Sequence, residues 1–71
     1  MANLHFTKHA RIRMKERSIS EKEVEATVLN PTKWHYGKDR EIVAIRKSGK
    51  REIRVVYFSE PQFIKIITVM K

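Results

Sequence analysis

The chain contains no cysteine among its 71 residues. Disulfides, thiolate zinc sites, iron–sulfur clusters and a cysteine nucleophile are therefore excluded. Glycine and proline occur only twice each, so there is no Gly-rich phosphate loop and no flexible linker. Apolar stretches reach only a few residues, too few for a membrane-spanning helix. The first twenty residues hold five Lys or Arg and no apolar run. They do not read as a secretory signal, and the cytoplasm is the expected address. The length suits one domain, residues 1–71. At this size roughly 60% of the unfolded surface can be buried, so the core is marginal.

Charge is what the chain has in excess. Sixteen Lys and Arg stand against eight Asp and Glu, a net +8. A small domain this basic is drawn to polyanions, whether RNA, DNA, the ribosome or anionic lipid, and RNA or the ribosome is the partner expected. The same charge also serves solubility. It is unevenly spread. Residues 1–17 carry +4, residues 18–30 carry −2, residues 31–54 carry +5 and the tail carries +1.

Helical patterns fill the first half. Thr7 suits an N-cap, and a helix is predicted from Thr7 to about Arg17. Phe6, Ala10 and Met14 fall on one side of it. His9, Arg13 and Arg17 recur at i, i+4, i+8 as a stripe bordering that side. Ser20-Glu21-Lys22-Glu23 is a capping box, with Ile19 and Val24 placed to form a hydrophobic staple. The second helix ends at Asn30-Pro31, because proline disfavours helical geometry in the residue before it.

Strand patterns fill the second half. Lys33–Tyr36 reads as a short strand, then Glu41–Lys47 and Arg51–Phe58 around a loop at 48–50, then Phe63–Met70. A three-residue loop pairs Lys47 with Arg51, Arg46 with Glu52 and Ala44 with Arg54. The second turn pairs Phe58 with Phe63 and Val56 with Lys65. Alternation then puts Val43, Ile45, Ile53, Val55, Tyr57, Ile64, Ile66, Thr68 and Met70 toward the helices. Ile42, Ala44, Arg46, Glu52, Arg54, Val56, Phe58, Phe63, Lys65, Ile67 and Val69 face away. Two short helices cover one side of a sheet. The other side, partly apolar, must curl on itself or be covered by a second copy, another protein or RNA.

Metal-free cleavage of RNA needs a base for the 2′-hydroxyl, an acid for the leaving oxygen and cations around the phosphate. His9 beside Arg13 and Arg17 offers both kinds of group on one helix. Arg46, Arg54 and Lys65 add cations from the sheet, and Tyr57, Thr68 or His35 are placed to orient groups or relay protons. Each also has a plain structural reading: Arg13 and Arg17 as partners of nearby glutamates, Arg46 as a cross-strand ion pair with Glu52, Thr68 as a packed residue. His5 and His9 are four apart, but His5 precedes the N-cap and no acid accompanies them. Neither a metal nor another cofactor is expected. Trp34, His35 and Tyr36 between Lys33 and Lys38 resemble a single-strand stacking surface, although Trp34 reads slightly better as core.

The segment Phe6–Ser20, FTKHARIRMKERSIS, resembles the opening of a small prokaryotic family, domain of unknown function 4258. Its pattern is close to F-[ST]-x-H-A-x-x-R-[ML]-x-x-R-G-I-S, followed by an acidic helix ending near N-P or D-P. Phe63–Met70 resembles the same family's last strand. Ser18 departs from the pattern, standing where glycine is usual. The family is similar in size and element order to RelE-like ribonuclease toxins, within the broader barnase-like, EndoU-like and RelE-like group. That resemblance implies two helices followed by an antiparallel sheet, metal-independent ribonuclease activity and an antitoxin lying across the protein. It singles out His9 and Arg13, then Arg17, with Thr68 in the closing strand.

The expected fold is α+β, with two N-terminal helices packed on one face of a three- or four-stranded antiparallel sheet. The leading expectation is a toxin-like, metal-independent endoribonuclease acting on RNA. In it His9, Arg13 and Arg54 act at the bond, and Arg17, Arg46, Lys65 and Thr68 hold substrate. The alternatives are a basic nucleic-acid-binding module without chemistry, and an interaction domain whose apolar sheet face meets an antitoxin or a second copy.

Overall fold

Thr7 ends a strand and starts a helix. In the computed structural model, which describes residues 3–70, β1 (Leu4–Phe6) passes through Thr7 into α1 (Lys8–Arg17). The Thr7 Oγ1 accepts from the Ala10 N–H at 3.1 Å, the expected N-cap bond. The same hydroxyl donates to the Ile67 carbonyl at 3.0 Å, and the Thr7 N–H donates to the Ile66 carbonyl at 3.1 Å. One threonine thus satisfies an orphan donor of the helix and two acceptors of a strand.

Helix α1 stops at Ser18, which takes the left-handed conformation at φ 54° and ψ 47°. The Ile19 N–H then closes back on the Met14 carbonyl at 2.9 Å. Serine here does what glycine does at most such stops, at a steric cost. Helix α2 (Glu21–Leu29) follows with the full capping box. The Glu23 Oε1 accepts from the Ser20 N–H at 3.0 Å, and the Ser20 Oγ accepts from the Glu23 N–H at 3.2 Å. Glu23 also binds β4 through its other oxygen, 2.8 Å from Arg51 Nη1. Arg51 donates onward to the Ser18 carbonyl at 2.7 Å, so it fastens the interhelix turn to the sheet. Ile19 and Val24 are both buried, as the staple requires.

The remaining elements are β2 (Lys33–Tyr36), β3 (Ile42–Ser48), β4 (Arg51–Ser59) and β5 (Ile64–Met70). They form one five-stranded mixed sheet in the order β1-β5-β4-β3-β2, with β1 parallel to β5 and the other pairs antiparallel. The fold is α+β with two helices, as expected. The expected count of three or four antiparallel strands is corrected by β1, whose three residues are too few for alternation to mark. Its partner, moreover, lies at the far end of the chain.

The register also differs from the expectation. Ser48 pairs with Arg51, which leaves a two-residue turn, Gly49-Lys50. Gly49 at φ 63° makes this tighter turn accessible. Arg46 therefore lies opposite Ile53, and Glu52 opposite Lys47. In β5 a bulge falls between the Val56–Thr68 and Tyr57–Ile66 pairs, leaving Ile67 unpaired. The bulge lets Ile66 and Val69, three apart, both point into the core.

Both helices bury into that one core. Ala10 and Met14 from α1, Ile19, and Val24 and Val28 from α2 pack on Ile53, Val55, Ile66 and Val69. Leu4, Phe6, Tyr57 and Ile64 close its border. Thr27 is fully buried and donates to the Glu23 carbonyl at 2.8 Å. Of the residues expected on the helix side, Val43, Ile45, Thr68 and Met70 lie on the other. The shifted hairpin moves the first two, and the bulge moves the last two.

Two substitutions test this account. Thr7→Val keeps the shape but removes the hydroxyl, and it lowers unfolding free energy by about 1–2 kcal/mol; Thr7→Ser retains most of it. Ser18→Gly relieves the left-handed strain and raises stability by roughly 0.5–1 kcal/mol. Urea titration reads both as midpoint shifts at constant slope.

Candidate nucleic-acid interface

The sheet has a side that no helix covers, and register shows which residues occupy it. One row across the strands runs His5, Lys65, Phe58. The next runs Thr68, Val56, Val43, His35, and the third Met70, Arg54, Ile45, Lys33. A fourth pairs Glu52 with Lys47. The four cations Lys33, Lys47, Arg54 and Lys65 are exposed. Between them lies a floor of Val43, Ile45, Val56, Phe58 and Ile67, all half-buried or buried. Ile45 is only 3% exposed although no helix lies over it; in register it sits between Lys33 and Arg54. Strand spacing makes the face roughly 19 Å wide from β1 to β2.

Little negative charge offsets these cations. Glu52 pairs with Arg54 at 3.1 Å. Three further ion pairs among the described residues involve the helices: Arg11 with Glu21 at 3.6 Å, Arg13 with Glu16 at 3.5 Å, and Arg51 with Glu23 at 2.8 Å. Arg11, Arg13 and Arg51 thus have acidic partners on or beside the helices, and the four cations of the bare face share one acid, Glu52.

The expected site residues fall into three groups. Arg54, Lys65 and Thr68 share the bare face. His9, Arg13 and Arg17 share one flank of α1. His9 and Arg17 are exposed and Arg13 half-buried. Arg11, which meets α2 through Glu21 and lies 5.0 Å over the Phe6 ring, is about 160° around the helix from both His9 and Arg13. The His9 stripe therefore faces away from α2. Arg46 is separate from both groups. It points to the helix side and donates to the Asn30 carbonyl at 3.4 Å. Arg46 and Arg54 lie on opposite sides of the sheet, so they do not converge on one phosphate. The one-residue register shift is the reason, and it also replaces the expected Arg46–Glu52 pair with Arg54–Glu52.

Two further positions depart from expectation, and a third, Tyr57, agrees with it. Trp34 is 54% exposed and is not core; it packs edge-on against Tyr36, with ring centroids 5.2 Å apart. Tyr57 borders the core, on the helix side where alternation puts it, and burial, with Tyr36 as a lesser cause, raises its pKa above 10.0. His5, weighed in the sequence only as a metal ligand, lies on the bare face beside Lys65 with its ring stacked on Phe63 at 4.5 Å. It is turned outward between Leu4 and Phe6, in a strand of three residues that is too short for its alternation to be read from the sequence. Among the described residues no three His, Asp or Glu converge as a metal would require. Nor is any helix among them long and apolar enough to cross a membrane.

These features define a small basic α+β domain with one helix-covered sheet face and one bare cationic face. The family model described as Domain of unknown function (DUF4258) matches residues 6–71, and the chain belongs to that family. Neither a curated protein nor a solved structure matches it.

The Tyr57 environment carries a pH prediction. A phenol whose folded pKa exceeds its unfolded value favours folding until pH passes the unfolded value, then loses that contribution. Stability falls as pH rises through 10.0 toward the folded value. Tyr57→Phe flattens that alkaline limb, as measured by urea midpoints between about pH 9 and pH 11.

Proposed function

We propose that the protein binds single-stranded RNA across the bare face of its sheet. The observation that carries this is a partly apolar floor ringed by four exposed cations, on the one sheet face that no helix occupies. A floor of this kind accepts the flat, greasy surfaces of unstacked bases, and the surrounding Lys and Arg meet the phosphates. Duplex recognition fits less well, because it uses a helix or ribbon entering a groove, and α2 presents glutamates. The four exposed cations, less Glu52, contribute +3 of the net charge of +8.

A second reading is that the bound RNA is also cut, as in the toxin-like, metal-independent ribonucleases that the family resembles. One observation favours it: His9 is exposed beside Arg13 on the flank of α1 turned from α2. An imidazole there is free to exchange a proton with substrate, and a guanidinium one turn away is placed to hold a phosphate oxygen.

The binding reading predicts a steep loss of affinity with salt. Arg54→Ala and Lys65→Ala each weaken an unstructured RNA oligomer and each lower the slope of log K against log[salt] by about 0.7. Arg46→Ala, on the other side, leaves that slope unchanged. Fluorescence anisotropy from 50 to 300 mM salt, ranges chosen to bracket roughly physiological ionic strength, reads this; equal effects from all three variants would refute the assigned face. For cleavage, RNA incubated with chelator yields shorter products with the wild type and at least about a hundredfold fewer with His9→Ala, while binding persists. Intact RNA in both samples removes the second reading and leaves the first.

A further inference from the structure

At the outer end of the bare face the chain forms an open depression of ≈ 310 Å³, lined by His5, Phe6, Thr7, Phe63 and Lys65. We infer that this depression is a pocket for a single nucleotide, with the base against the stacked His5–Phe63 pair and the phosphate on Lys65. Both sources of that chemistry, a nucleotide of a bound RNA strand and a free nucleotide, are tested below. Only the first rests on the RNA reading given above.

Three observations converge on a ligand of that class. The imidazole of His5 and the ring of Phe63 lie nearly parallel, 26° apart with centroids at 4.5 Å. This is a preformed aromatic stack at a sheet edge, and it lies outside the core cluster. A third flat ring extends it without rearrangement. Lys65 is the strand neighbour of His5 in the β1–β5 register. It is exposed, and no ion pair among the described residues occupies it. Finally, the pocket is at the small end of the range for ligand sites, roughly 300–1,000 Å³, which suits one nucleotide and not several. Thr7 contributes shape only, since its hydroxyl already serves Ala10 and Ile67.

The competing candidates in the fold carry less. The Trp34–Tyr36 pair on the opposite edge is exposed, but nothing in the structure identifies what would cover it. The depression between Leu4, Phe6, Glu21, Lys22 and Glu25 sets two carboxylates against one ammonium, which does not suit an anion.

The test is a two-dimensional NMR titration of the intact chain with adenosine 5′-monophosphate, adenosine and inorganic phosphate. The expected result is saturable shifts at His5, Phe63 and Lys65 with the monophosphate, and none at Lys33 or Trp34 on the far edge. Phe63→Leu weakens the monophosphate about tenfold, the loss of one stacked ring. Lys65→Gln weakens it about tenfold as well and leaves adenosine unaffected, so the two ligands then bind alike. Dispersed amide spectra of both variants establish that the fold is retained. The inference is overturned if inorganic phosphate alone reproduces the shifts, or if the monophosphate moves Lys33 and Lys47 as much as His5. It is likewise overturned if an RNA oligomer moves Arg54 and neither that oligomer nor the monophosphate moves His5, although the face reading then stands. Monophosphate shifts at His5 without any RNA effect at Arg54 retain the pocket for a free nucleotide and remove the face reading.

Discussion

The hydroxyl of Thr7 is the contact on which the arrangement turns. A bulge leaves the Ile67 carbonyl without a partner strand, and β1 ends one residue before it. An unpaired carbonyl at a half-buried position costs as much as a lost hydrogen bond. Thr7 supplies that bond and, with the same oxygen, caps α1. The chain therefore leaves the sheet at a defined point. Ala10 and Met14 are delivered onto β5 in register with the residues that the bulge has turned inward. Because Ile66 and Val69 both point to the helices, Ile67 and Thr68 between them both point away. The share of β5 in the bare face beyond Lys65, namely Ile67, Thr68 and Met70, follows from a single extra residue in that strand.

Charge is sorted by the same architecture. Glu21 and Glu23 sit in the first turn of α2 because the capping box and the helix dipole favour them there. Once there, they neutralise Arg11 and Arg51 on the helix side. Exposed pairs of this kind add little stability individually. Their larger effect is on the field. Two of the three glutamates of α2 are thereby engaged on the helix side, while the bare face holds four cations against the one carboxylate of Glu52. Arg51 is the exception in energetic importance. It is half-buried and fastens the α1–α2 turn to the start of β4 through Glu23 and the Ser18 carbonyl.

How much was legible from the residues depended on how local the signal was. The N-cap at Thr7, the capping box at Ser20 and Glu23 and the stop at Pro31 are decided within four residues, and each stands where expected. The helical stripe of His9, Arg13 and Arg17 is equally local. Pairing that joins distant segments was not legible. Leu4-His5-Phe6 is too short to show a period, and its parallel partner lies some sixty residues on, so the fifth strand and His5 were missed together. The hairpin failed by one residue, because Ser48-Gly49-Lys50 suits a three-residue loop as well as a two-residue turn. Period-two alternation carries such a slip to every side chain of β3. That slip alone moved Arg46 away from Arg54 and dissolved the expected phosphate clamp.

The same geometry sets different demands for holding RNA and for cutting it. Binding needs cations and apolar surface spread along a strand of nucleotides, and side chains several strands apart serve it equally well. Cutting needs an acid, a base and a charge stabiliser all within hydrogen-bond reach of one phosphate. Rows one strand apart place neighbouring side chains about 5 Å from each other, which meets the first demand everywhere on the bare face. The second demand falls on His9, Arg13 and whatever substrate geometry the strand adopts as it leaves the sheet. On the proposed reading, a face that had fixed several phosphates would restrict where the next one lies, so affinity at Arg54 and Lys65 would be a precondition for chemistry at α1. The converse does not hold, since removal of the imidazole leaves the sheet and its cations untouched.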